Sequence, residues 1–93
     1  MIVYAPDADR DVTRLHDGLL GFSLRAASAF MFKLALAERR IGARPQTYRR
    51  LRDGQTRRYS FKLNRTTDLV DYQIEPAQIV VLRVWHGRQD RPE

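Results

Sequence analysis

The residues best suited to chemistry come late in the chain. Trp85-His86-Gly87-Arg88-Gln89-Asp90-Arg91 sets an aromatic ring, an imidazole and two guanidinium groups in one short run. Histidine moves a proton near neutral pH and arginine holds a phosphate, so His86 with Arg88 is the best acid–base pair available, fit to bind or cleave RNA. Arg83 interrupts the apolar stretch just before this run and needs a carboxylate partner to sit there, with Asp71 or Glu75 as candidates. The remaining histidine, His16, lies among charged residues and reads as a solvated side chain. The sequence has no cysteine, no glycine-rich phosphate loop, no spaced His and carboxylate set for a metal and no nucleophile with a base. No metal or cofactor is expected, and small-molecule enzymology is disfavoured.

The charge balance points to a macromolecular partner. Seventeen Lys and Arg against eleven Asp and Glu give a formal net charge of +6, which favours a polyanion or an acidic protein. Only Lys33 and Lys62 are lysines. Arginine suits bidentate contacts to phosphate or carboxylate, although GC-rich coding also inflates its share. The N-terminal residues Met1 to Pro6 lack the pattern of a signal peptide. No stretch approaches the roughly 18 apolar residues of a membrane span, so a cytoplasmic protein with no membrane partner is expected.

The elements that must position these residues follow from periodicity. The 93 residues suit one domain. Ile2 to Tyr4 reads as a short strand stopped by Pro6. A helix follows, with Asp7 or Asp9 as its cap, Ala8, Val12, Leu15 and Leu19 on one face, and Gly18 and Gly21 near its end. Ser23 can cap a second helix that runs to about Arg40, with Ile41-Gly42 as its stop. The segment from Gly42 to Gln55 carries Arg44, Arg49, Arg50 and Arg52 and reads as a basic loop. Thr56 to Asn64 and Asp68 to Glu75 alternate as a half-exposed hairpin, and Ile79 to His86 is a nearly continuous apolar strand. The expected fold is therefore α+β, two antiparallel helices on one face of a small, mainly antiparallel sheet in the order strand-helix-helix-strand-strand-strand.

Two surfaces emerge from this layout. In the second helix Leu24, Ala27, Phe30, Met31, Leu34 and Ala37 share one side, while Phe32 and Leu36 fall on the other beside Arg25, Arg39 and Arg40. Either the helix lies between the sheet and the first helix, or Phe32 and Leu36 dock a partner helix. On the open sheet face Arg58, Ser60 and Lys62 converge with Asp71, Gln73, Glu75, Arg83 and Trp85. An acidic amphipathic partner would find Arg58 there and Arg25, Arg39 and Arg40 on the helix.

The run Val81-Leu82-Arg83-Val84-Trp85-His86-Gly87-Arg88-Gln89-Asp90 resembles the ending of ParE toxins, V-L-R-V-x-H-G-R-x-D. Ala8-Asp9-Arg10-Asp11-Val12, Pro45, Tyr59 and Tyr72 extend the similarity over almost the whole chain. The resemblance implies the RelE/ParE fold and a plasmid-stabilisation type of toxin that arrests growth. It implies a cognate antitoxin as partner and DNA gyrase as target, with no catalytic residue and with Trp85, His86, Arg88 and Arg91 meeting the target. The related RelE toxins cut messenger RNA on the ribosome. Their set is incompletely matched: Lys62 fits one position, but Leu69 and Ser60 stand where an arginine and a lysine are expected, and no tyrosine follows Arg88. A histidine-based nuclease would have to rely on His86, Arg83, Arg88 and Lys62.

Overall fold

The computed structural model describes residues 1–87. Its elements are β1 (Ile2–Tyr4), α1 (Pro6–Phe22), α2 (Leu24–Ala43), β2 (Arg49–Arg50), β3 (Arg57–Leu63), β4 (Thr66–Ile74) and β5 (Ile79–Trp85). The sheet runs β1-β5-β4-β3-β2. β1 is parallel to β5 and every other pair is antiparallel. The expected α+β architecture is present, with one strand more than periodicity suggested. That strand, β2, lies inside the presumed basic loop. Two successive arginines carry no alternation to reveal it; it exists because Arg49 and Arg50 pair with Arg58 and Arg57.

α1 takes neither Asp7 nor Asp9 as its cap. Ala5 is the N-cap and Pro6 opens the helix, a position where the missing N–H costs nothing. Asp7 and Asp9 instead occupy the first turn, where the helix dipole favours negative charge. Ser23 does cap α2, its hydroxyl accepting from the Ala26 N–H at 3.2 Å. α2 then overruns its expected stop and includes Gly42, because Ile41 extends the buried stripe of Phe30, Leu34 and Ala37 by another turn. Leu24 and Met31, expected on that stripe, flank it and are exposed.

The core lies between the helices and the inner sheet face. Ala8, Leu15, Phe30, Leu34 and Ile41 meet Tyr59, Phe61, Val70, Tyr72, Val81 and Val84 there. Tyr72 is wholly buried, and its hydroxyl donates to the Pro45 carbonyl, tying the end of α2 to the sheet. The register between β4 and β5 slips by one residue at Leu82, so Asp71 faces Arg83 while Tyr72 faces Val81. This bulge lets Val81 and Val84 both point into the core and sends Arg83 and Trp85 to the outer face.

β1 is only three residues long, so among the described residues the far half of β5 has no strand neighbour on that side. Asp11 of α1 takes over that edge. Its carboxylate accepts the Val84 backbone N–H at 2.9 Å and two bonds from Arg83, at 2.7 Å from Nε and 3.0 Å from Nη2. Arg83 is thus partnered by neither Asp71 nor Glu75. Asp71 is already bonded to Arg58, and Glu75 is exposed in the β4–β5 turn.

Asp11→Ala leaves a strand N–H and a guanidinium unsatisfied at once, so it should cost about 2–4 kcal/mol. Arg14→Ala removes only a half-exposed i,i+3 pair with the same carboxylate and should cost under about 0.5 kcal/mol. Chemical denaturation of the two variants measures both.

Candidate functional site

The outer sheet face is not the open surface that alternation suggested. Arg58, Leu69, Asp71 and Trp85 are all buried there. Asp71 is the hub: its carboxylate accepts from Arg58 Nε at 2.7 Å and Nη2 at 2.9 Å, and from Trp85 Nε1 at 2.8 Å. The segment after β2 leans over this cluster. Asp53 accepts the backbone N–H groups of Gln55 and Thr56 and the Thr56 hydroxyl, closing a tight turn, and Gln73 Nε2 donates to the same hydroxyl. The turn brings Leu51 and Thr56 against the sheet, where both are buried. A cleft of about 310 Å³ remains between them and Leu82, Arg83 and Trp85. Arg83 lies with its guanidinium carbon 4.3 Å from the Trp85 ring centroid and its N–H groups on Asp11, so it is held on both sides and keeps 37% of its side chain exposed.

His86 belongs to the opposite face. It follows Trp85 by one residue, and its Nδ1 lies 2.8 Å from Asp68 Oδ1. Against a carboxylate, which only accepts, Nδ1 is the donor. Asp68 is fully buried and also receives the Thr66 hydroxyl and the Gly87 N–H at 3.4 Å each. Its Oδ2 has no hydrogen-bond partner. Asp68 was not foreseen as part of any site. The signal was present in its parity, since it shares the inward phase of Val70 and Tyr72, where a carboxylate has to be bonded.

The third surface is the outer side of α2. Phe32 is 68% exposed, and neither α1 nor the sheet covers it. Leu36 beside it is half-buried, and Arg25, Arg39 and Arg40 are exposed around the pair. Arg40 also donates to the Tyr59 hydroxyl at 3.0 Å. Arg58 does not join this surface, because it is consumed by Asp71. Trp85, expected to meet the target, is 7% exposed and presents little of its ring. Arg88 and Arg91 lie outside the described residues.

Of the groups that a nuclease would need, the three described ones do not converge. Lys62 is on the outer face, bonded to Thr67 at 2.9 Å, Arg83 is fixed between Asp11 and Trp85, and His86 faces the helical side with Asp68. Ser60 and Leu69 are paired in register on the outer face, one exposed and one buried.

Residues 2–91 match the family described as ParE toxin of type II toxin-antitoxin system, parDE. The chain belongs to the ParE toxin family. It is the toxin component of a type II toxin-antitoxin system, and membership implies an antitoxin as partner. No curated protein matches the chain. The ParE-type residues that prompted the resemblance have distinct physical tasks. Asp11 and Arg83 join helix to strand, Tyr59 and Tyr72 fill the core, and His86 is set by a buried carboxylate.

Two of these carboxylates predict how stability depends on pH. Burial pushes the Asp11 carboxyl up, but bonds from Arg83, the Val84 N–H and Arg14 outweigh it and hold the group below the ordinary range. The Thr56 hydroxyl and the Thr56 and Gln55 N–H groups lower Asp53 as well. A carboxyl depressed on folding stabilises above its unfolded pKa of about 3.9, and the contribution is lost as pH falls through the folded value. Melting temperature should therefore drop below about pH 4, and Asp11→Asn should flatten that acid limb. Thermal melts from pH 2 to 7 give the comparison.

Proposed function

We propose that this toxin inhibits DNA gyrase in the cytoplasm and is neutralised by a cognate antitoxin that lays an amphipathic, acidic segment over the outer side of α2. The observation that carries the target assignment is the dispersal of the nuclease set. Proton transfer and phosphate stabilisation are each worth orders of magnitude in cleavage rate only when the groups converge on one scissile bond. Here Lys62 and Arg83 sit on one sheet face and His86 on the other, with the first two already engaged. An inhibitor needs no such convergence. It needs a charged surface, and a chain with a net charge of +6 suits a target that itself handles DNA.

The antitoxin assignment rests on Phe32. A large aromatic ring left in water beside Leu36 and ringed by arginines is the pattern of a helix-in-groove or helix-on-helix contact whose partner carries acid. Covering it would remove apolar surface and pair the charges together.

Purified toxin added to a gyrase supercoiling reaction should block supercoiling, while a labelled message on translating ribosomes stays intact. Codon-phased cleavage of the message with normal supercoiling would reverse the target assignment. Expression of the toxin alone should arrest growth and co-expression of the neighbouring reading frame should restore it. Phe32→Glu should abolish that rescue while leaving the arrest, as read by plating efficiency and by co-purification.

A further inference from the structure

The short ladder between β2 and β3 sets arginine against arginine. Arg49 pairs with Arg58 and Arg50 with Arg57, and residues directly opposite in an antiparallel pair share a face with Cβ atoms about 5 Å apart, where like charges repel. The first pair is relieved by Asp71, which accepts from Arg58 Nε and Nη2. The second has no such relief. Neither Arg50 nor Arg57 forms an ion pair among the described residues. Asp53 is turned to Gln55 and Thr56 instead, and Glu75 accepts from Gln78 in the β4–β5 turn.

Both arginines line one cleft of about 420 Å³, together with Gln46, Gly54, Gln55 and Gln73 and with no carboxylate in its walls. Arg57 is half-buried and fixed, because its Nη1 donates to the carbonyls of Gln46 and Tyr48 at 3.0 and 2.9 Å. Its Nε and Nη2 have no hydrogen-bond partner among the described residues. Arg50, Gln46 and Gln55 are exposed beside it, with side-chain donors to offer. Gly54, at φ 74°, adds a stretch of wall without a side chain.

We propose that this cleft binds a phosphate group, clamped between the forks of Arg50 and Arg57. A carboxylate has two oxygens and one charge and satisfies a single fork. A phosphate places four oxygens around one centre with as many as two charges, enough for both arginines and the glutamine amides together. The main-chain bonds of Arg57 hold it ready, which lowers the entropy lost on binding. The anion also cancels the repulsion across the ladder. This site rests on neither the gyrase nor the antitoxin reading, and the phosphate can belong to a free ester or to a nucleic-acid backbone, which present the same chemistry.

Inorganic phosphate titrated into the purified toxin at fixed ionic strength, followed by amide NMR, should shift the Gly54 and Gln55 signals saturably. Arg50→Gln should weaken this binding about tenfold. Arg57→Lys should weaken it as well, since it keeps the charge and loses the fork, whereas Arg65→Gln, at the far end of β3, should leave it unchanged. In phosphate-free buffer Arg50→Gln should melt no lower than the wild type, because it removes one of two opposed charges. A nucleoside 5′-monophosphate and a duplex oligonucleotide then separate the two sources: the natural one is the ligand whose binding falls more in Arg50→Gln than in Arg65→Gln. Shifts that spread over the surface without saturating, an unchanged affinity in Arg50→Gln, or a lower melting temperature for that variant would each overturn the site.

Discussion

One carboxylate joins the helical layer to the sheet. Asp11 receives the Val84 N–H, two bonds from Arg83 and one from Arg14, in the gap that the short β1 leaves along β5. Because the first strand ends after Tyr4, a side chain on the next helix has to finish the backbone pairing of β5. The same carboxylate neutralises the arginine that the Leu82 bulge turns outward. A charged residue in an inner strand is tolerable only with such a partner. The position of α1, the bulge in β5 and the presence of Arg83 therefore form one arrangement, and none of the three makes sense alone.

On the outer face Asp71 has a comparable role. It gathers Arg58 and Trp85 from the strands on either side, and Leu51 and Thr56 close over the group. Asp53 stiffens the turn that brings them there. The arginine-rich segment after α2 is consequently a braced element. Arg57 adds to the bracing by donating to the carbonyls of Gln46 and Tyr48. Exposed Arg44, Arg50 and Arg52 are carried on this frame, which lowers the entropy lost when they meet a partner.

Much of this architecture was legible in the residue pattern. The helical stripe of Ala8, Leu15, Phe30 and Leu34 and the alternation of Tyr59, Phe61 and Leu63 define the core faces, and Ser23 marks the break between the helices. Several of the misread features depend on contacts outside their own element. β2 is two arginines with no period of their own. The carboxylate partner of Arg83 is on a helix that precedes it by most of the chain, whereas the neighbouring strand offered Asp71 or Glu75. Arg58 and Trp85 look exposed by alternation and are buried because a turn from elsewhere covers their face. At the candidate site, His86 stood out by its chemistry, but the buried Asp68 that holds it required the sheet register to be known.

The strand order has a consequence for how the molecule comes into being. β5 lies between β1 and β4, and it carries the attachment point of α1 as well. It is also the last strand among the described residues. Until it is in place, β1 has nothing to pair with and Asp11 has nothing to hold. Such long-range closure is slow compared with local structure. The sheet is therefore closed by a strand that lies more than seventy residues along the chain from the one it pairs with.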